Sequence, residues 1–373
     1  MSDLTLVLLA AGNSSRFELN VKKQWLRIGH EPLWLFVAKR LEKTALFERI
    51  IITSNPQDLH YMKSFADFTF IEGGTSRGAS LQNALKEVNT EYVLVSDIAR
   101  ACISEEFLHT ILSHKGLSDC IVPYLKVSDT IVYEDATIDR DKVKRIQTPQ
   151  LSRTQVLKDA LARDLDFTDE SSAIVANGGK RAFVLGEDDA HKITYIQDLK
   201  KIPCLSAPAS DTLSGTGLDV HAFDDKGEMF LCGVKIESDF GFKAHSDGDV
   251  AIHALIDALL GASAMGDIGT LFPDNDAQYK GIDSKRLLEN VVSKLEEFGF
   301  VIINVDVTIA AQTPRLAKYK EEMKKTIAKI LHIENYMVNI KATTTEKLGF
   351  VGRSEGVAVL ANANLKYFDW TKI

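Results

Sequence analysis

Asp219, His221 and His253 have the types and the spacing to hold a metal ion. Residues 216–221 read as a strand, and its period of two turns Asp219 and His221 to the same side. Ala244-His245-Ser246-Asp247-Gly248-Asp249 then leads into an apolar helix over residues 254–260. Asp249, His253 and Asp257 recur at every fourth position, which predicts one helix face presenting all three. Asp219, His221 and His253 make an Asp-His-His set for Zn²⁺. Its fourth position stays open to a substrate oxygen, which separates a catalytic zinc from a structural one. Singly, a strand histidine is most often structural and a Ser/Asp cluster most often a cap. The conjunction is what points to chemistry.

The first half carries a different chemistry. An apolar strand over residues 5–9 ends in Ala10-Ala11-Gly12-Asn13-Ser14-Ser15-Arg16-Phe17, followed by Lys22-Lys23-Gln24. Small residues after a strand let the backbone approach a phosphate, and nearby cations complete an anion cradle. Gly73-Gly74-Thr75-Ser76-Arg77-Gly78-Ala79-Ser80 opens a helix at Leu81 and offers hydroxyls and a guanidinium fork. Asp97 follows the buried strand 92–95, where a carboxylate facing a triphosphate loop would meet Mg²⁺.

Two resemblances follow from these stretches. Gly217–Phe223, Ala244–Leu260, Gly266-Asp267-Ile268-Gly269, Leu271-Phe272-Pro273-Asp274 and Lys341–Phe350 resemble 2-C-methyl-D-erythritol 2,4-cyclodiphosphate synthases, from about residue 213 to the C-terminus. The first half, over residues 4 to about 202, resembles 2-C-methyl-D-erythritol 4-phosphate cytidylyltransferases of the nucleotide-diphospho-sugar transferase-like group. Its matching pieces run in order: Ala10-Ala11-Gly12 with Arg16, Lys23-Gln24, Gly73-Gly74 with Arg77, and Asp97 with Ala99-Arg100. Asp129-Thr130, Asp139-Arg140, Thr148-Pro149-Gln150, Thr168-Asp169-Glu170 and Lys192 with Thr194 continue it. Leu9, Asn13-Ser14-Ser15, Ser96, Ile98 and Ala101 depart from that family, which usually has Pro, a glycine-rich loop, His, Ala and Pro there.

The resemblance of the first half implies attack of the erythritol 4-phosphate on the α-phosphate of CTP, with pyrophosphate leaving. Both reactants are anions, so the work is charge neutralisation and alignment. It implies Arg16, Lys23 and Lys192 at the pentavalent phosphorus, Asp97 on Mg²⁺ or Mn²⁺, and Asp189 as a second metal contact. Cytosine would be read around Ala11, Gly12, Gly74 and Ser80, with Arg77 and Arg100 also on substrate. Thr130, Lys192 and an Arg140 reaching across from a partner subunit would meet the erythritol phosphate.

The resemblance of the second half implies zinc on Asp219, His221 and His253, with Glu346 on a second divalent ion, Mg²⁺ or Mn²⁺. The substrate's 2-phosphate attacks its own β-phosphate and CMP leaves, so no protein nucleophile is needed. His245 and Ser246 would sit beside the 2-phosphate, and Asp267, Gly269, Asp274 and Asp276 beside the polyol. Thr343, Thr344 and Thr345 would take phosphate oxygens. Ala311, Pro314, Arg315, Leu316 and Ala342 match the cytidine pocket, where Arg315 replaces the usual Lys. Phe350 joins the substrate set, and Arg353 points to a central cavity of the assembly.

Together these give a bifunctional isoprenoid-precursor enzyme of the methylerythritol phosphate pathway. The alternative is a single-activity cytidylyltransferase with a metal-binding assembly module, and a non-enzymatic scaffold is a third reading. The kinase step between the two reactions has no signature here, so association with a separate kinase is an expectation.

The elements that position these residues follow from length and pattern. A chain of 373 residues predicts two domains. Strand–helix alternation makes residues 1–204 a doubly wound α/β cytidylyltransferase domain. Residues 205–215 read as a linker inside a Ser- and Pro-rich stretch from Pro203 to Gly215. Residues 216–373 read as an α+β cyclodiphosphate synthase-like domain. There, residues 229–234, 301–312, 337–343 and 356–363 are expected strands and 283–298 and 315–331 amphipathic helices.

A net charge of −8 argues against nucleic-acid or anionic-membrane binding, so local Lys and Arg must hold anionic substrates. No long apolar run predicts a transmembrane helix, and the N-terminus lacks a basic signal-peptide start, which makes the cytoplasm the expected location. Scattered Cys102, Cys120, Cys204 and Cys232 are expected to be reduced. The dimers and trimers of the two resembled families imply a homo-oligomer, a D₃ hexamer.

Overall fold

Leu4–Leu9 (β1) is apolar apart from Thr5, as a strand covered on both faces must be, and only Leu9 is not fully buried. The computed structural model describes residues 3–163, 167–225, 227–243, 247–273 and 281–373, in two units, Met1–Ala207 and Pro208–Ile373.

In the first unit, Arg49–Ser54 (β2), Thr69–Glu72 (β3) and Tyr92–Asp97 (β4) join β1 in a parallel sheet ordered β3-β2-β1-β4. Cys120–Lys126 (β5), Lys144–Ile146 (β6), Gln150–Arg153 (β7) and Arg181–Leu185 (β8) extend it. β7 runs antiparallel to β4 and β5, β6 antiparallel to β5, and β8 parallel to β5. Val7, Ile51, Val93 and Val95 pack on Leu81 and Leu85 of helix Arg77–Leu85 and on Leu157, Leu161 and Ile174. That helix opens at Arg77 rather than Leu81, because Ser76 caps it by accepting the Ala79 N–H. A second apolar cluster stacks buried Trp25 on Tyr61, with Trp34 of helix Leu33–Glu42 edge-on. The chain order reverses between β1 and β4, and the carboxyl ends there form the crevice where doubly wound sheets bind ligands.

The second unit is a sheet ordered β10-β9-β13-β11-β12: Leu213–Asp224 (β9), Gly241–Phe242 (β10), Phe300–Ala310 (β11), Val338–Thr343 (β12) and Gly356–Tyr367 (β13). Only β11 and β12 pair in parallel. Helix Val250–Ala262 (α1) is nearly all apolar because it runs between this sheet and helix Ser284–Glu297 (α2). Gly215 and Gly217 let α1 settle onto β9: added Cβ atoms would stand 2.1 Å from Ala258 O and 2.0 Å from Ala254 O. Gly217→Ala should therefore overpack this contact and cost at least about 1–3 kcal/mol. Calorimetry of the full chain should show the second unit melting earlier and the first unit unmoved.

Several expectations need correcting. β9 begins at Leu213 and Gly215 packs against α1, so the linker ends before residue 213. Residues 229–234 are a hairpin, Met229–Leu231 and Val234–Ile236, turned by Cys232 and Gly233 at positive φ. Residues 315–331 give a 3₁₀ turn, Ala317–Tyr319, before helix Lys320–Ile330 (α3). Cys102 and Cys204 are disulfide-bonded, Cα atoms 5.7 Å apart, because the chain after Ile202 folds back on the loop following β4. Cys120 and Cys232 are free and buried, as expected. No helix among the described residues is long and apolar enough to cross a membrane.

Candidate active sites

The close seat of α1 on β9 brings His253 opposite Asp219 and His221. Asp219 Oδ2 lies 3.2 Å from His221 Nε2 and 3.3 Å from His253 Nδ1. One donor atom from each residue falls within 4.8 Å of the others. The outward ring nitrogens are both engaged: His221 Nδ1 donates to Gly248 O at 3.0 Å, and His253 Nε2 meets Ser284 Oγ at 3.0 Å. Ser284 in turn donates to Asp247. This network fixes each ring so that its other nitrogen faces Asp219, the outer-shell arrangement of metal-ligating histidines. Burial works against ionisation of Asp219, yet the imidazoles beside it hold its carboxyl well below the usual range. An anionic carboxylate and two oriented imidazoles fit a divalent metal ion.

Asp249 and Asp257 do not join them. Asp249 is the N-cap of α1, outside helical geometry, and accepts N–H bonds from Cys232, Gly233, Ala251 and Ile252 at 2.6–3.2 Å. Asp257 accepts the Ile268 N–H at 2.8 Å.

In the first unit, the crevice is a cavity of about 450 Å³. Ala11, Gly12, Arg16, Lys23, Gly74, Arg77, Ser80, Asp97 and Lys192 all line it. Gly73 lets two loops close, since a Cβ there would meet Ala11 Cβ at 2.4 Å. Ser14, at φ 55°, accepts the Lys23 N–H at 3.0 Å, and Gln24 Nε2 donates to Gly12 O at 3.1 Å. Side-chain ties thus shape the loop at Asn13-Ser14-Ser15, where the resembled family usually has glycines.

Asp97 sits at the centre of a charge network. Lys192 Nζ is 2.9 Å and Arg77 Nε 3.6 Å from it, and Thr148 Oγ1 donates to it at 3.1 Å. Burial opposes its ionisation, but Arg77, Lys192 and Arg100 hold it far below the usual range. Arg77 also pairs with the buried Glu170 at 2.6 Å, so its fork faces carboxylates rather than standing open. Arg100 is buried, donating to Thr148 Oγ1 at 2.7 Å and to Ala190 O at 2.6 Å. Lys23 donates to Ile193 O at 2.7 Å; burial, then Lys192 and Arg16, lower its pKa to about 8.

Comparison with known proteins decides what these sites belong to. A family model described as 2-C-methyl-D-erythritol 4-phosphate cytidylyltransferase matches residues 4–204, and the YgbB family model matches residues 213–366. The bifunctional enzyme IspD/IspF of Sulfurimonas denitrificans is 69% identical over 99% of this chain and 96% of its own. That of Aliarcobacter butzleri is 54% identical over the full length of both. The solved structure of the bifunctional IspDF from Campylobacter jejuni has a TM-score of 0.90 at 47% identity, covering 99% of each chain. The chain belongs to the bifunctional IspD/IspF enzymes. It is a cytidylyltransferase and a cyclodiphosphate synthase in one polypeptide.

In the IspD half, Asp189 is exposed and lines neither of the two cavities described for this unit. Thr130 and Arg140 are exposed on the excursion between β5 and β6 and line neither cavity, and Arg140 donates to Ser128 O at 2.6 Å. In the IspF half, His245, Ser246, Asp274 and Asp276 lie outside the described residues. Asp267 caps the short helix Ile268–Leu271, which contains Gly269. The register Ile309↔Ala342 and the Ala311 N–H to Thr343 O bond at 3.0 Å bring Ala311–Leu316 beside Ala342–Thr345. Ala311 and Leu316 are buried, Pro314 half-buried and Arg315 exposed. Thr344 donates to Glu346 at 3.0 Å, at the exposed end of β12. Phe350 is partly exposed, and Arg353 forms a two-point pair with Glu355 at 2.8 and 2.9 Å.

Thr148, Glu170, Ser284 and Asp247 hold the sites from behind and were missed as site residues. Thr148 and Glu170 fall in motifs quoted from sequence, whereas a serine far from the metal helix gives no local signal for its bond to His253.

Proposed function

We propose that Arg16, Lys23 and Lys192 neutralise the α-phosphate of CTP while an acceptor 4-phosphate oxygen bonds to it and the bond to pyrophosphate breaks. The Lys192–Asp97–Arg77 network carries this reading, since it fixes a lysine and a carboxylate in the crevice at the carboxyl ends of β1 and β4. Mg²⁺ or Mn²⁺ on Asp97 would neutralise triphosphate charge. The backbone and hydroxyls of Ala11, Gly12, Gly74 and Ser80 accommodate the base, and Arg100 positions Asp97 through Thr148. Thr130 acts on the acceptor, and Arg140 does so from a partner subunit; Asp189 stays the weakest of the set.

In the second unit we propose zinc on Asp219, His221 and His253, with Glu346 holding a second divalent ion. Zinc would polarise the β-phosphate, and the second ion would offset charge on departing CMP. His245, Ser246, Thr343, Thr344 and Thr345 hold phosphate oxygens, while Asp267, Gly269, Asp274 and Asp276 take the polyol. Ala311, Pro314, Arg315, Leu316 and Ala342 form the cytidine pocket, with Phe350 beside it. The oriented imidazoles carry this reading. The direct test incubates the protein with CTP and the erythritol phosphate, then adds a separate kinase with ATP. Release of pyrophosphate followed by cyclodiphosphate is the expected result.

Assembly completes the second site. Two strands separate β9 from β12, which puts the trio roughly 14 Å from the cytidine pocket at the usual strand spacing. A pocket from one subunit beside the trio of another removes that gap. The outer sheet face supports it, exposing paired Leu218 and Leu360 with Val220 at 65%, 49% and 45%. Arg353 then faces the assembly's centre. Trimers through this face and dimers through the excursion bearing exposed Val132 and Tyr133 close as a D₃ hexamer. Leu218→Asp with Leu360→Asp should halve or further reduce the particle mass in light scattering and remove cyclisation, while cytidylyl transfer persists. Location in the cytoplasm and docking of the pathway kinase complete this proposal.

A further inference from the structure

A second cavity of about 480 Å³ adjoins the nucleotide cavity, and Arg16 and Lys192 line both. Its remaining charged walls are Arg100, Arg145, Lys201 and Asp198, with His191. Asp198 is already engaged, accepting the Thr194 and Tyr195 N–H groups at 2.9 Å each and facing His191 and Lys201. In a chain of net charge −8, five Arg and Lys side chains around one concave wall mark a place for an anion. Lys192, Lys201 and Arg100 are tied to Asp97, Asp198, Thr148 and Ala190. The side chains of Arg16 and Arg145 have no hydrogen bond or ion pair among the described residues.

The strand places Arg145 there. On β6, Arg145 stands opposite Leu125 of β5, and both line the cavity. Its neighbour Lys144 lies over the rings of Tyr124 and Phe183, 5.3 and 5.2 Å from their centroids, on the opposite side of the strand. We infer that Arg145 is a specificity-determining residue of cytidylyl transfer: the second cavity admits the acceptor, and the Arg145 guanidinium takes non-attacking oxygens of its phosphate monoester. Arg16 and Lys192, on the shared wall, then face the phosphorus under attack. The inference rests on the proposed roles of Arg16 and Lys192. A fork matches two phosphate oxygens where an ammonium supplies only charge, so Arg145→Lys is not conservative here.

The test measures pyrophosphate release by the full-length protein with CTP and the erythritol phosphate varied separately. Arg145→Gln should raise the acceptor KM about tenfold or more, the scale of a lost charge-assisted bond, and leave the CTP KM within about twofold. Arg145→Lys should recover only part of the loss, and melting temperature and cyclisation should stay unchanged. An unchanged acceptor KM, full recovery by Lys, or both KM values rising with a lowered Tm would overturn the role of Arg145. A normal rate in Lys192→Ala, with Arg145→Gln still defective for acceptor, would instead overturn the reading of the shared wall.

Discussion

His253→Ala should abolish cyclisation and leave cytidylyl transfer at the unaltered rate. The substitution removes one of three donor groups that fall within 4.8 Å of one another, in the second unit only. Loss of a residue that merely orients a ligand typically costs 10–100-fold in metal affinity or activity, so loss of the ligand itself should exceed about 10²-fold. Ser284→Ala supplies the graded comparison. It removes the partner of His253 Nε2 and leaves all three donors in place, so its loss should lie within that 10–100-fold range. Elemental analysis should find metal missing from His253→Ala and weakly held in Ser284→Ala. A His253→Ala protein that keeps both its metal and its cyclisation rate would sink the assignment of the trio.

The contrast between His253 and Asp249 shows what sequence spacing conveys. The period of two on β9 and the helical spacing on α1 bring Asp219, His221 and His253 to one place, as the structure does, because each periodicity is a property of regular backbone. Asp249 breaks the second rule because it is the cap, with φ −67° and ψ 84°, and its carboxylate folds back over the first turn. That two glycines on β9 draw α1 into place became readable only once strand and helix were packed. The same division holds in the first unit. Asp97, Lys23 and Lys192 are legible from motif order. Thr148 donates to Asp97 and accepts from Arg100, joining residues about fifty positions apart, which local pattern cannot encode. The disulfide was missed for a like reason: Cys102 and Cys204 are 102 residues apart, and composition speaks only to compartment.

Lys23→Ala should lower the rate of pyrophosphate release by about 10²–10³, the usual cost of one group stabilising developing charge. Its environment also predicts a pH profile. Burial, with Lys192 and Arg16 nearby, lowers the Lys23 pKa to about 8 in the free protein. The protonated amine is the form that meets the phosphate, so activity is full below that pH and falls as pH rises through it. kcat/KM for CTP reports the free enzyme and should show this limb near pH 8, whereas kcat reports the complex. There the triphosphate restores negative charge beside Lys23, so the limb in kcat should move to higher pH. Lys23→Arg keeps the charge above pH 10 and should lose the limb even though its rate is lower. Lys23→Ala should be uniformly slow, with cyclisation unchanged in both variants. A rate loss below about threefold, or the same alkaline limb persisting in Lys23→Arg, would remove Lys23 from the reacting phosphate and assign the limb to another group.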